Sequence, residues 1–144
     1  YADTQKDGYN ISISNVSVSP NPVTVGALAS LKFDFNIYTL AQNAMNVGDT
    51  VTLSTNIGTM FGNLPITDLP LFAQNGEQIA TATITDTEIK LTVISEFPTD
   101  KNFFSGSVYT GGRLKALENG ATAGNPSTKQ LTIEDASTNV TFNV

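Results

Sequence analysis

The sequence predicts an all-β fold, an antiparallel immunoglobulin-like β-sandwich of about eight or nine strands. Three observations carry that prediction. Apolar residues alternate with polar ones in several short runs, the period-2 mark of half-buried strands. Turn residues such as Gly, Pro, Asn and Asp separate those runs at short intervals. No segment keeps a 3.6-residue apolar period long enough for a helix, and Tyr38 to Met45 offers one helical turn at most.

The elements follow in order. Tyr1 to Gly8 is polar, and residues 1–9 are expected to be a flexible N-terminal segment before a single domain over 10–144. Ile11 and Ile13 share one strand face, whereas Val16 and Val18 have the opposite parity. A bulge near Ser14–Asn15 would absorb that slip. Pro20-Asn21-Pro22 ends the strand because proline cannot donate to a ladder. Leu31-Lys32-Phe33-Asp34-Phe35-Asn36-Ile37 is the clearest strand, with four apolar residues alternating with three polar ones. Asn46-Val47-Gly48-Asp49 turns the chain into a strand carrying Val51 and Leu53. Pro65 and Pro70 are read as flanking a loop, and Asn75-Gly76 as a tight turn. Ile79–Ile84 and Glu88–Ile94 form a hairpin about Thr85-Asp86-Thr87. Phe97 to Phe104 reads as loop, Ser105 to Leu114 as one strand loosened by Gly111-Gly112, and Ala116 to Ser127 as loop. Two closing strands carry Leu131 and Ile133, then Val140, Phe142 and Val144.

Composition narrows the function. The 144 residues are 40% hydrophobic but only 14% charged, below the charge content of about 25% usual for globular chains. Thr, Ser and Asn must therefore supply the polar surface. A chain of this length buries about two-thirds of its unfolded surface and needs no metal or disulfide to fold. Seven Lys and Arg against a net charge of −6 cannot build a cationic stripe, so nucleic acid is not an expected partner. Membrane insertion is not expected either, because no run reaches the ~20 apolar residues of a span. Histidine and cysteine are absent. Ser-His-Asp and Cys-His relays cannot be assembled, and thiolate or imidazole metal sites are excluded. No enzyme activity, cofactor or metal is expected. The chain opens on Tyr1 and shows no signal peptide, so a mature fragment or a recombinantly trimmed piece is expected.

Four stretches then carry a resemblance. They are Ile13-Ser14-Asn15-Val16-Ser17-Val18-Ser19-Pro20, Asn46-Val47-Gly48-Asp49-Thr50-Val51, Asn75-Gly76-Glu77-Gln78-Ile79-Ala80 and Ser137-Thr138-Asn139-Val140-Thr141-Phe142. In this order they resemble the N-terminal immunoglobulin-like subdomain of Gram-positive matrix-binding (MSCRAMM-type) adhesins, most of all the first subdomain of the collagen-adhesin type of staphylococci. The likeness runs from about Ile11 to Val144. It implies a secreted, cell-wall-anchored virulence factor, monomeric, that binds a host extracellular ligand without covalent chemistry. The ligand would be a matrix protein such as collagen or fibrinogen, or a glycan. A following immunoglobulin-like subdomain of the same polypeptide would be a further partner. The second expectation is a structural spacer with no ligand of its own.

Candidate residues follow from exposure and chemistry. Tyr38, Phe72 and Tyr109, with Arg113, are the expected ligand-binding residues, since aromatics and Arg anchor interfaces. Packing in the sandwich is the competing role for each. Glu134-Asp135, read as strand neighbours, would point to opposite faces, and Asp86 with Glu88 sits at a hairpin turn. Neither pair makes an acid–base couple. Asp3 to Asp7 is too sparse for calcium. The resemblance also raises an internal Lys–Asn isopeptide bond, for which Lys32, Asn139 or Asn143 and the acid Asp34 are the candidates. The place of Lys32 and Asp34 on the polar face of their strand weighs against it. Asn10, Asn15 and Asn139 begin N-glycosylation-type triplets that a bacterial protein would carry by chance.

Overall fold

A computed structural model of the protein describes residues 4–5, 9–39, 45–73, 75–95 and 103–144. Among these, thirteen strands run in order: β1 (Thr4–Gln5), β2 (Tyr9–Ser19), β3 (Val23–Thr24), β4 (Leu28–Thr39), β5 (Asp49–Ser54), β6 (Phe61–Gly62), β7 (Ile66–Phe72), β8 (Gln78–Ile84), β9 (Glu88–Val93), β10 (Phe103–Tyr109), β11 (Leu114–Ala116), β12 (Ser127–Ile133) and β13 (Ala136–Asn143). One 3-10 turn at Ile57–Thr59 follows β5. The expected antiparallel immunoglobulin-like sandwich is present, and several of the additional strands are pieces two or three residues long.

Strand β4 organises the larger sheet. β2 lies antiparallel along it, from Tyr9↔Thr39 to Ser19↔Ser30. Its other edge takes β10 over Lys32 to Tyr38 and β11 at Leu28 and Ala29. From β10 the sheet continues through β7, β8, β9 and β5 to β1. The β10–β7 junction is a single rung, Ser107↔Phe72. A smaller sheet runs β12–β13–β3. All pairings are antiparallel except β1 with β5 and β13 with β3.

Alternation along β4 sends Leu31, Phe33, Phe35 and Ile37 into the core. Cross-strand pairing puts Ile13 opposite Phe35 and Val18 opposite Leu31 on that same face. The parity slip between them is resolved as expected. Asn15 and Val16 bulge out between the Ser14↔Asp34 and Ser17↔Lys32 pairs, with Asn15 at φ 55°. Two-against-one pairing returns Val18 to the inner face. The sheets meet through Phe61 on β6 and Phe142 on β13, whose ring centroids lie 5.6 Å apart.

Polar side chains complete the edges of the smaller sheet. The Asn56 amide donates to the Gln130 carbonyl at 2.9 Å and accepts from the Thr132 N–H at 2.9 Å. Asn21 does the same on the other edge, donating to Asn139 O at 2.9 Å and accepting from Thr141 N–H at 3.0 Å. Each amide stands in for one residue of a missing strand. Glu134 accepts from the Ser54 N–H, 2.6 Å, and from its hydroxyl, 2.9 Å.

Several local expectations are corrected. The stretch between Pro65 and Pro70 is not a loop, because Ile66–Phe72 is β7 and Pro70 pairs with Thr81. β7 meets β10 only at Phe72, so at Pro70 the missing N–H faces an open side. The strand expected over Ser105 to Leu114 is two strands, broken at Gly111-Gly112, with Gly111 at φ 65°. Phe103 and Phe104 belong to β10, and 97–102 lie outside the described residues. Tyr38 and Thr39 end β4, and 40–44 lie outside the described residues. Glu134-Asp135 is the turn joining β12 to β13, not strand, with Glu134 at φ 53°. Thr4–Gln5, the short β1, pairs in parallel with Asp49–Thr50.

Close packing of the turns makes a testable point. Gly58 donates its N–H to Asp86 O at 2.9 Å, and a Cβ on Gly58 would overlap the Asp86 Cβ. Gly58→Ala is expected to cost about 1–3 kcal/mol in urea unfolding, the usual cost of overpacking. Gly62→Ala, whose Cβ meets nothing nearer than 3.5 Å, should stay within about 0.5 kcal/mol of wild type. Equal effects at the two positions would contradict the packing described.

Candidate binding face

Residues paired directly across antiparallel strands share a face. The outer side of β4 therefore carries four rungs with its two neighbours. Lys32 lies between Ser17 and Tyr109, Asp34 between Ser14 and Ser107, Asn36 between Ser12 and Ser105, and Tyr38 beside Asn10. Phe72 on β7 lies opposite Ser107 and extends the second rung by one strand. At about 3.3 Å per residue, the Tyr109 and Tyr38 rungs stand roughly 20 Å apart.

Three of the four expected ligand-binding residues thus come together. Tyr38 is 48% exposed, Phe72 49% and Tyr109 57%. Aromatics left this open on one sheet face are not core packing. Arg113 does not join the rungs. It is exposed in the turn between β10 and β11 and lines a shallow depression with Leu28, Asn63, Pro65, Ile66 and Thr67.

At the middle of the face, Asp34 is held by two donors. Ser107 Oγ donates to its Oδ1 at 2.6 Å, and Asn15 Nδ2 to its Oδ2 at 2.8 Å. The Ser107 hydrogen bond, then that of Asn15, hold the carboxyl below its ordinary range, with help from the Lys32 charge and against the partial burial of the group. The bulge has a purpose in this geometry: the left-handed turn at Asn15 coincides with an amide reaching across to Asp34. One rung further, Asn36 Nδ2 donates to the Tyr38 hydroxyl at 3.0 Å. The Asn36 Oδ1 is buried with no partner, and no other side-chain oxygen or nitrogen among the described residues is in that position.

Sequence reasoning found the aromatics and missed the polar centre. Asp34 was weighed only as an isopeptide acid, and Asn15, Asn36 and Ser107 were not singled out for ligand contact. The signal lay in the polar positions of the β4 alternation combined with the parity slip at Ser14–Asn15. The isopeptide arrangement does not form. Lys32 is exposed rather than desolvated, whereas Asn139 and Asn143 belong to the smaller sheet. Among the described residues, no group of three acidic, His or Cys side chains gathers to hold a metal. No helix there is long and apolar enough to cross a membrane.

No protein-family model and no curated protein matches the chain. Solved structures of adhesins do. The collagen adhesin of S. aureus aligns at 20% identity and a TM-score of 0.52, over 99% of this chain and 45% of that one. The serine-rich repeat protein Srr2 of Streptococcus agalactiae aligns at 14% identity and 0.57, over 99% and 47%. The serine-rich repeat adhesion glycoprotein Srr1 of the same species aligns at 16% and 0.55, over 94% and 46%. The protein has the immunoglobulin-like fold of these surface adhesins, and it spans a little less than half of each solved chain. The resemblance read from its motifs holds at the level of the fold.

The hydrogen-bonded carboxylate has a pH consequence. Its folded pKa lies below the unfolded value of about 3.9, so its contribution to stability is full above that value and is lost as pH falls through the lower folded one. Asp34→Asn is expected to lower the urea midpoint at pH 7. The gap from wild type should narrow as pH falls below about 4. A gap that stays constant down to pH 2 would show that the carboxylate charge contributes nothing.

Proposed function

We propose that this protein is a non-enzymatic binding module of a wall-anchored bacterial surface adhesin, acting as one domain over residues 10–144. In this reading it takes a host extracellular ligand on the outer face of the β2–β4–β10 sheet. The observation that carries the proposal is the gathering of Tyr38, Phe72 and Tyr109 around Asp34 on one open face. Exposed aromatics ringed by short polar side chains are the composition of a binding patch, since they supply large contact area with little side-chain entropy to lose. The fold supports the adhesin class, because the similar structures are adhesins. A second immunoglobulin-like subdomain of the same polypeptide is the natural covalent neighbour, given the share of those structures that the chain covers.

The proposal is tested by titrating the purified protein on immobilised collagens, fibrinogen and mucin. Saturable binding to at least one is expected. Tyr38→Ala combined with Tyr109→Ala should weaken it by about tenfold or more, the loss of one hot-spot residue or better. Gly62→Ala should leave it unchanged. Absence of saturable binding to every surface would favour the spacer reading. Binding indifferent to both tyrosines would move the site elsewhere.

A further inference from the structure

The geometry points to a self-association surface: we infer that the open edge of β2 pairs with β2 of a second copy, antiparallel across a two-fold axis at Ser12, and joins two large sheets into one.

β2 presents the longest unpaired edge among the described residues. It pairs only with β4. Antiparallel pairing turns the N–H and C=O of every second residue away from the partner strand. No hydrogen bond from elsewhere in the described chain reaches those groups between Asn10 and Ser14. Other outer strands are covered in part. β1 lies on β5 at Asp49–Thr50, and Glu134 holds the far end of β5 at Ser54. Asn56 caps β12, and β3 with Asn21 covers β13.

Edges are ordinarily protected by charge, proline, brevity or a bulge. β2 runs for 11 residues, Tyr9 to Ser19, with neither a charged residue nor a proline. Its safeguard is the bulge at Asn15 and Val16, which leaves Asn10–Ser14 regular. Ile11 and Ile13 on that stretch are only half-buried, whereas their β4 partners Ile37 and Phe35 are buried. A strand laid along the edge would cover both.

The edge also selects its occupant. Free backbone groups call for an extended strand. Pairing about a two-fold fills the edges of both copies at once, whereas a foreign strand fills one. An axis at Ser12 sets Ile11 against Ile13 and Asn10 against Ser14 of the other copy, so residues of equal parity meet. The isoleucines then lie together on the inner side, and Asn10 and the serines on the outer. This register uses all of Asn10–Ser14 and stops at the bulge in both copies. The stretch carries no charge, so a chain of net charge −6 brings no like charges directly opposite there. At about 4.8 Å per strand, the two β4 strands would stand roughly 14 Å apart beneath one continuous outer surface. Pairing of this kind needs no ligand. Taken with the binding reading above, it makes the module bivalent.

A contact this short lies at the weak, transient end of specific association. Sedimentation of the purified protein from about 10 μM to about 1 mM, the range of weak complexes, should show its mass rising toward twice that of the chain. Amide hydrogen exchange at Asn10–Ser14 should slow over the same range. Ser12→Lys sets two like charges face to face at the axis, at an exposed position with no core contact to lose. It should weaken the dimer about tenfold or more. Ser12→Glu should do the same, and mixing the two variants should restore association. A chain that stays monomeric at about 1 mM would overturn the inference and leave the edge to a strand of another protein, with the ligand reading untouched. Dimers indifferent to Ser12→Lys, or variants that fail to recover on mixing, would place the contact elsewhere and overturn it equally.

Discussion

Everything in this fold depends on β4 being hydrogen-bonded along both edges. With β2 on one side and β10 and β11 on the other, its backbone groups are paired along most of its length. A strand held that way cannot slip, because a one-residue shift would send Phe33 and Phe35 to solvent and Lys32 and Asp34 into the core. The alternation that fills the interior with Leu31, Phe33, Phe35 and Ile37 therefore also fixes Lys32, Asp34, Asn36 and Tyr38 in a row outside. Core and outer row are two consequences of one constraint.

Where the ladders run out, side chains take over. Asn21 and Asn56 each bond a carbonyl and an N–H two residues apart on β13 and β12, as a strand residue would. Glu134 joins the β12–β13 turn to β5 through Ser54, with backbone and carboxylate together. Open strand edges invite pairing with other chains. Short polar side chains at these places satisfy part of the edge without lengthening a strand, which explains why a chain with so few charged residues spends asparagines in its connections.

The sequence made the central architecture readable because β4 and β2 obey period-2 alternation with one interruption, and a parity slip is a feature that pattern reasoning detects. It also exposed the hairpins at Asn75-Gly76 and Thr85-Asp86-Thr87, where turn chemistry is local. It misled where tertiary context overrode local preference. Two prolines suggested a loop, yet Pro70 sits in a strand whose facing side is open. Glu134-Asp135 looked like strand because nothing local marks a two-residue turn without glycine, and only the pairing of Ile133 with Ala136 reveals it. Of the face, the exposed aromatics were legible as residue types. The Asp34–Asn15–Ser107 cluster was not, because its members come from three strands and are joined only by register.

The same register also governs where Phe72 stands. Single-rung pairing between β10 and β7 makes the position of Phe72 depend on close approach at Gly106, where a Cβ would stand 2.9 Å from the Phe72 carbonyl oxygen and 3.1 Å from the Phe35 ring. The glycine lets β7 draw up to β10 at that rung, and Phe72 thereby joins the plane of Tyr109 and Asp34. Close approach at Gly106 on the inner face thus sets the place of a side chain on the outer face.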